Sequence, residues 1–112
     1  MPSTYKRLGA VSPSANTQTN VYVVPAATQA VMSTVTICNQ TSSNASFSLI
    51  VMPPGDFATS AAVKDFIIRG AVVPAADTLV LTMGLTANAG TVIAANSSVA
   101  NVSFGIFGSE VT

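Results

Sequence analysis

The sequence predicts an all-β protein, a single β-sandwich with an extended N-terminal arm. Runs rich in Val, Ile, Thr and Phe recur along the chain, and several alternate apolar with polar side chains, the period of a strand with one buried face. Clusters of Pro, Gly, Asn and Ser separate these runs at intervals of about 8–12 residues, which is typical of sandwiches. The 112 residues suffice for one domain and are too few for two. Roughly seven or eight strands fit a Greek-key or jelly-roll order as well as an immunoglobulin-like order.

Residues 1–19 have no sustained apolar period, and Pro13 with its serine neighbours favours extended or turn backbone. We therefore predict an arm over residues 1–19, disordered on its own, and a sandwich domain over residues 20–112. The arm holds half of the positive charge of the chain beside two sizeable apolar side chains, so we expect it to anchor a partner. The partner-binding residues are then Tyr5, Lys6, Arg7 and Leu8. A frayed chain end is the alternative.

The first half of the sandwich contains three predicted strands. The first opens at residues 21–23 and ends at the turn residues 25–27. In the second, residues 29–39, Val31, Val35 and Ile37 share one face, and Cys38 near its end reads as a buried, inert thiol. The third, residues 45–52, alternates cleanly and stops at two prolines. Its side chains Phe47, Leu49 and Val51 are expected to point inward and Ser46 and Ser48 outward.

Residues 56–70 fit two structures. Asp56 could cap a helix and Gly70 could end it, whereas the three apolar residues 66–68 favour a strand. We expect irregular or helical chain to about Ala62 and a strand from Val63 to Arg69, with a full helix as the alternative.

The second half continues with strands near residues 71–73, 78–86, 91–95 and 100–108. Phe104 and Ile106 alternate with Ser and Gly, so we expect them to pack against Phe47 and Leu49 between the two sheets. Residues 23–28 (VVPAAT) and 72–77 (VVPAAD) are nearly identical. This indicates one strand–turn–strand corner used twice, unless it is a coincidence in a chain rich in Ala and Val.

The composition excludes several classes of function. There is no histidine, there is one cysteine, and the four carboxylates are scattered, so the chain offers neither a zinc ligand set nor an activated nucleophile. We therefore expect no enzyme activity, no metal and no cofactor. Zero net charge argues against nucleic acid. No window of 18 apolar residues and no signal peptide are present, so we expect no membrane segment.

Charged residues make up 7% of the chain, against about 25% in ordinary soluble domains. Neutral hydroxyl and amide side chains cost less to desolvate than ions. The scarcity of charge therefore predicts a protein whose surface lies against neighbours, most simply a homo-oligomer. A weakly charged monomer is the alternative.

Segments along nearly the whole chain resemble a known family. They are YKRLG at 5–9, the run 15–26 from ANT to VVPA, residues 31–39, ADTL at 76–79, LTMGLT at 81–86, NVSFG at 101–105 and FGSE at 107–110. Together they resemble small virion structural proteins of tailed phages, including phages of cyanobacteria. None of these segments is a catalytic motif, so the resemblance implies a virion component without an active site.

The resemblance and the scarcity of charge lead to a functional hypothesis. The chain would be a capsid decoration (cement) protein on the outer capsid surface of the virion, bound to the major capsid protein, with a trimer at three-fold positions as one arrangement. A tail component bound to tail proteins, such as a baseplate or fibre-attachment domain, is the alternative. A carbohydrate-binding module ranks lowest, because the chain has no Trp and its only tyrosines are Tyr5 and Tyr22.

Overall fold

The computed structural model describes residues 3–54 and 65–112, which form eight strands. In chain order they are β1 Ser3–Val11, β2 Thr19–Val23, β3 Gln29–Asn39, β4 Ala45–Met52, β5 Phe66–Val73, β6 Thr78–Ala87, β7 Val92–Ser97 and β8 Val102–Val111.

The strands build two four-stranded sheets packed face to face. Sheet I has the order β1-β8-β3-β6 and sheet II the order β2-β7-β4-β5, with all neighbours antiparallel. The hydrogen-bonded pairs β1/β8, β2/β7, β3/β6 and β4/β5 nest inside one another along the chain. A long hairpin rolled into two sheets has this pairing, which is the jelly-roll order. The all-β sandwich is therefore confirmed, and the jelly-roll order is the one observed.

The main core lies between the two sheets and is almost entirely aliphatic and aromatic. Phe47 and Leu49 of β4 meet Phe104 and Ile106 of β8, and none of the four is more than 2% exposed. The core prediction for these residues is confirmed. It succeeds because each of these strands keeps a strict period of two over the residues concerned.

One predicted face of β3 is wrong in part. Val35 and Ile37 are buried, but Val31 is 39% exposed and Met32 takes its place in the core. The ladders of β3 shift register between Met32 and Thr34, because Ser33 is an extra residue opposite β8. A bulge of one residue switches the side of the sheet that each preceding side chain of the strand faces.

Sheet II buries side chains on both faces. Ile50 and Met52 of β4 alternate with the core residues of that strand, yet both are fully buried with Val92 and Ala94 of β7. Phe66 packs against this second cluster. The sequence prediction for β4 assigned a polar outer face from Ser46 and Ser48 and did not foresee this cluster.

Strand β5 overlaps the strand predicted over residues 63–69, starting at Phe66 and running past Gly70 to Val73. The irregular or helical stretch expected up to Ala62 lies outside the described residues. Gly70 does not end the strand: it has a φ of +72° and is the extra residue of a bulge between Arg69 and Ala71. Glycine adopts this backbone conformation without the steric cost of a Cβ.

The repeated VVPAA segment forms two matching corners. Each one carries the chain from sheet II to sheet I, first from β2 to β3 and then from β5 to β6. Ala27 and Ala76, which occupy the same place in the two segments, have φ values of 56° and 54°. The preceding valines Val24 and Val73 are both buried. The sequence echo therefore corresponds to one corner used twice.

The extended N-terminal arm over residues 1–19 is not confirmed. Ser3–Val11 is an edge strand of sheet I, paired with β8 from Ser3 opposite Val111 to Val11 opposite Phe104. The register shifts between Arg7 and Gly9, so Leu8 is an extra residue and the inward side chains change parity. This irregularity hides the strand period in the sequence. Residues 3–11 belong to the sandwich, which therefore extends well before residue 20.

Candidate functional site: the outer face of sheet I

The side of sheet I that points away from sheet II is a four-strand surface, called here the outer face. Its residues follow from the register, because side chains in one cross-strand row share a side. From β1 to β6 the rows are Tyr5, Ser109, Val31, Thr86; then Arg7, Phe107, Thr34, Thr82; then Ala10, Gly105, Thr36, Val80; and, without β1, Ser103, Cys38, Thr78.

The outer face is rich in hydroxyl groups and poor in charge. Five threonines and two serines stand in these rows, and among these row positions Arg7 is the single charged residue. Large apolar side chains break the polar surface: Tyr5 is 84% exposed and Val80 is 61% exposed. Such a face loses little hydration energy when it is covered, because it combines neutral hydroxyls with apolar area.

Phe107 is the aromatic residue in the middle of the outer face, between Arg7 of β1 and Thr34 of β3 in the same row. A Cβ added to Gly105 would lie 2.9 Å from Thr36 Oγ1 and 3.4 Å from the Phe107 ring. The ring therefore lies beside Gly105, an arrangement by which an aromatic side chain covers a glycine in a strand. Phe107 remains 38% exposed, so part of the ring is open to a partner.

The four predicted partner-binding residues are divided between two sides of β1. Tyr5 and Arg7 lie on the outer face, whereas Leu8 packs against the core. Lys6 lies in the row of the buried Met32, on the inner side. Alternation along a strand separates neighbours in this way. The structure thus leaves Tyr5 and Arg7 available on one surface and engages Lys6 and Leu8 within the fold.

Lys6 belongs to a polar cluster at the edge where β1 and β2 approach each other. Its ammonium group lies 2.8 Å from one oxygen of Glu110 on β8, and the hydroxyl of Tyr22 on β2 donates to the other oxygen. The hydrogen bond from Lys6, with a smaller effect from Tyr22, lowers the pKa of Glu110. Burial, together with the Glu110 carboxylate, raises the pKa of Tyr22. This cluster ties sheet I to sheet II and faces away from the outer face.

Two features of the outer face could not be read from the sequence. The sequence predicts that Phe107 lies in the last strand but not that its ring is on the outer face. Cys38, which is expected to be buried, is half-buried in the row of Ser103 and Thr78. A groove of about 420 Å³ borders the face at one end, and its lining includes Gln29, Val31, Thr86 and Val111. The signal for this surface is the run of hydroxyl residues at alternate positions of β3 and β6, which marks a neutral face rather than a charged one.

Two structural observations on the described residues bear on the chemistry that the chain can offer. Among residues 3–54 and 65–112, no group of three or more His, Cys, Asp or Glu side chains could hold a metal ion. In the same ranges there is no helix of the length and apolarity needed to cross a bilayer. On the outer face, the hydroxyl groups, the Arg7 guanidinium and the exposed rings can make hydrogen bonds, an ion pair and apolar contacts. No family model, curated protein or solved structure matches the chain.

Proposed function

We propose that this chain is a structural protein of a phage virion, a decoration protein that binds the outer surface of the major capsid lattice and stabilises the head. It acts without catalysis or a cofactor, as a homo-oligomer. The capsid-binding surface is the outer face of sheet I.

The observation that carries the proposal is the composition of that face. Its hydroxyl rows are interrupted by Tyr5 and Phe107, and Arg7 neighbours both, two residues from Tyr5 on β1 and directly opposite Phe107 on β8. Aromatic and Arg side chains are enriched at the energetic centres of protein interfaces, and Arg can bind a carboxylate with two parallel hydrogen bonds. The expected counterpart on the capsid is a neutral or weakly acidic patch.

Two further points support a virion role. Jelly rolls of eight strands recur in viral capsid domains, as well as in lectins and cupins, and the strand order of this chain is the one that such capsid domains have. The sequence segments that resemble phage virion proteins span β1 to β8. A lattice that offers many identical sites to an oligomer also lets weak single contacts add up to firm attachment.

The test uses neighbouring residues of one strand that point to opposite sides. The double variant Tyr5→Ala with Arg7→Ala removes two side chains of the outer face, and Lys6→Ala is the matched control from the residue between them. Each purified protein is added to phage heads stripped of the native protein, and occupancy is measured by quantitative gel analysis and particle imaging. We expect the double variant to bind weakly or not at all and Lys6→Ala to bind at full occupancy.

Full occupancy by the double variant would refute this face as the capsid contact. The copy number of the protein in intact virions distinguishes the head role from the tail alternative. A copy number comparable with that of the major capsid protein fits the decoration role, whereas a small fraction of it, with label at the tail, would replace that role by the tail alternative.

A further inference from the structure

We infer that the free edge of β6 pairs with β6 of a second copy of this chain, antiparallel across a two-fold axis, so that two four-stranded sheets become one sheet of eight strands. The inference concerns self-association. It does not depend on the virion role or on the outer face as a capsid contact.

The four sheet edges are not equivalent. Edge strands expose unpaired backbone N–H and C=O groups, and proteins usually protect them with charges, irregularities or short length. β1 carries Lys6 and Arg7 and a register shift, β2 has five residues, and β5 carries Arg69 and two register shifts.

β6 has fewer of these protections. It is ten residues long, Thr78–Ala87, with neither a charged residue nor a proline. Its ladder with β3 shifts once, where Met83 and Gly84 face Ser33, yet exposure alternates without interruption along the whole strand. In the part of the chain that the structure describes, β3 is its sole sheet neighbour. β6 is therefore the edge best suited to accept another strand.

The sequence of β6 fits one partner in particular, which is itself. Around Thr82 two of the four symmetric pairs of the segment TLVLTMGLT are identical, Thr78/Thr86 and Leu79/Leu85, and a third pairs two large apolar residues, Leu81 and Met83. Antiparallel pairing about a two-fold axis at Thr82 places Thr78 opposite Thr86 and Leu79 opposite Leu85. Leu81 then faces Met83, and Val80 faces Gly84. A contact about a two-fold axis requires this self-complementarity, because every pair occurs twice: if Thr78 of one copy lies opposite Thr86 of the other, Thr86 of the first also lies opposite Thr78 of the second.

Charge and burial agree with the same pairing. Asp77, just before the strand, falls opposite Ala87 of the second copy, so the two Asp77 side chains stand at opposite ends, about 33 Å apart for ten residues of strand. The inward side chains Leu79, Leu81, Met83 and Leu85 pack against the core but are only partly buried. A second copy would continue this apolar row beyond the edge and bury more of it.

The experiment compares two double variants with the same first substitution. Thr78→Lys with Thr86→Lys places like charges opposite each other at both ends of the pair, and Thr78→Lys with Thr86→Asp places opposite charges there. Within one chain positions 78 and 86 are eight residues apart and face the uncharged residues Cys38 and Val31. Both variants are therefore expected to fold alike, which circular dichroism and thermal unfolding check.

Sedimentation equilibrium then measures the molar mass of the full-length proteins. We expect the wild type at twice the chain mass of 11.3 kDa, the Lys/Lys variant at 11.3 kDa under the same conditions, and the Lys/Asp variant again at twice that mass. Added salt should weaken the Lys/Asp dimer more than the wild type. A monomeric or trimeric wild type, or equal masses for the two variants, would overturn the inference. Capsid binding by the Tyr5 and Arg7 variants is scored separately, so the two proposals can fail independently.

Discussion

The rings of Phe47 and Phe104 meet edge to face across the two sheets, with their centroids 6.0 Å apart and their planes at 60°. β4 of sheet II supplies the first ring and β8 of sheet I the second. This contact joins the middle of one sheet to the middle of the other, so it reports directly on whether the sandwich is packed.

Truncation of Phe104 to Ala should lower the free energy of unfolding by about 3–5 kcal/mol, because it removes a fully buried ring and leaves a cavity. Phe107→Ala, three residues later on the same strand, is the matched control, since that ring is 38% exposed and should cost less. Urea denaturation of both variants measures the difference. Equal losses would mean that the two faces of β8 are assigned incorrectly.

Deletion of residues 2–12 should destabilise the fold. It removes β1, uncovers the edge of β8 and takes away Leu8 and Val11, which pack against the core. We expect a loss of at least the roughly 2 kcal/mol that truncating one buried leucine costs. Thermal unfolding of the deleted chain is the measurement, with the Tyr5→Ala and Arg7→Ala variant as the control that keeps the strand. An unchanged unfolding temperature would instead mean that residues 3–11 do not contribute to the sandwich and form a free arm.

The close approach of β1 and β2 predicts opposite results at two glycines. A Cβ on Gly9 would collide with the carbonyl oxygen of Val21, whereas a Cβ on Gly84 meets nothing within 4 Å and that residue has no positive φ. Gly9→Ala should therefore cost about 1–3 kcal/mol, the usual range for overpacking. Gly84→Ala should be neutral or stabilise by up to about 1 kcal/mol, because it restricts the unfolded chain. Unfolding free energies that do not separate the two variants would argue against this approach of the strands.

Acid should weaken the fold through Glu110. Its pKa is lowered in the folded protein, first by the hydrogen bond from Lys6. A carboxyl group with a lowered pKa contributes stability that is complete above its ordinary value of 4.5 and is lost as the pH falls through the folded value. Stability measured from pH 6 to pH 2 should thus drop below about pH 4.5. Glu110→Gln should flatten this part of the profile, and an identical profile for the variant would contradict the assignment.

Alkali should act through Tyr22. Its pKa is raised, chiefly by burial, so the phenol stays protonated in the folded protein at a pH where it ionises in the unfolded chain. The stabilising effect is present below the ordinary value of 10.0 and declines as the pH rises above it. Tyr22→Phe should lose this decline while Tyr5→Phe, at the exposed tyrosine, should keep it. Absorbance of tyrosinate during an alkaline titration identifies the ring that resists ionisation.

Strand positions were predictable from the sequence where the period of two is unbroken. The second predicted strand coincides with Gln29–Asn39 and the third with Ala45–Met52, because β-branched residues and clear turns bound them. The prediction failed at inserted residues. The extra residue Leu8 interrupts the period of two in β1, and the extra residue Ser33 places Val31 on the exposed side of β3. Gly70 was expected to lie beyond the end of a strand or helix, but it is the extra residue of a bulge within β5. Such insertions cannot be predicted from a local sequence pattern, since an extra residue is defined only by the register with the neighbouring strand.

The candidate site was predictable to a smaller extent. The basic pair and the two apolar side chains of residues 5–8 predict all four binding residues, but alternation along β1 leaves only Tyr5 and Arg7 on the outer face. The contribution of Phe107, Thr34 and Val80 requires the strand order, because the rows join residues from opposite ends of the sequence. A surface assembled from four strands has no continuous sequence signature.

The pairing of β1 with β8 has a consequence for biosynthesis. Ser3 lies opposite Val111, so one edge of sheet I closes only when segments more than a hundred residues apart have met. On a ribosome, residues 3–11 emerge before residues 102–111, and the β1/β8 ladder can form only after the later segment has left the exit tunnel. Contacts of this sequence separation are associated with slow folding. During that interval the chain exposes apolar strands and an unpaired β8 partner site, which makes it prone to aggregate.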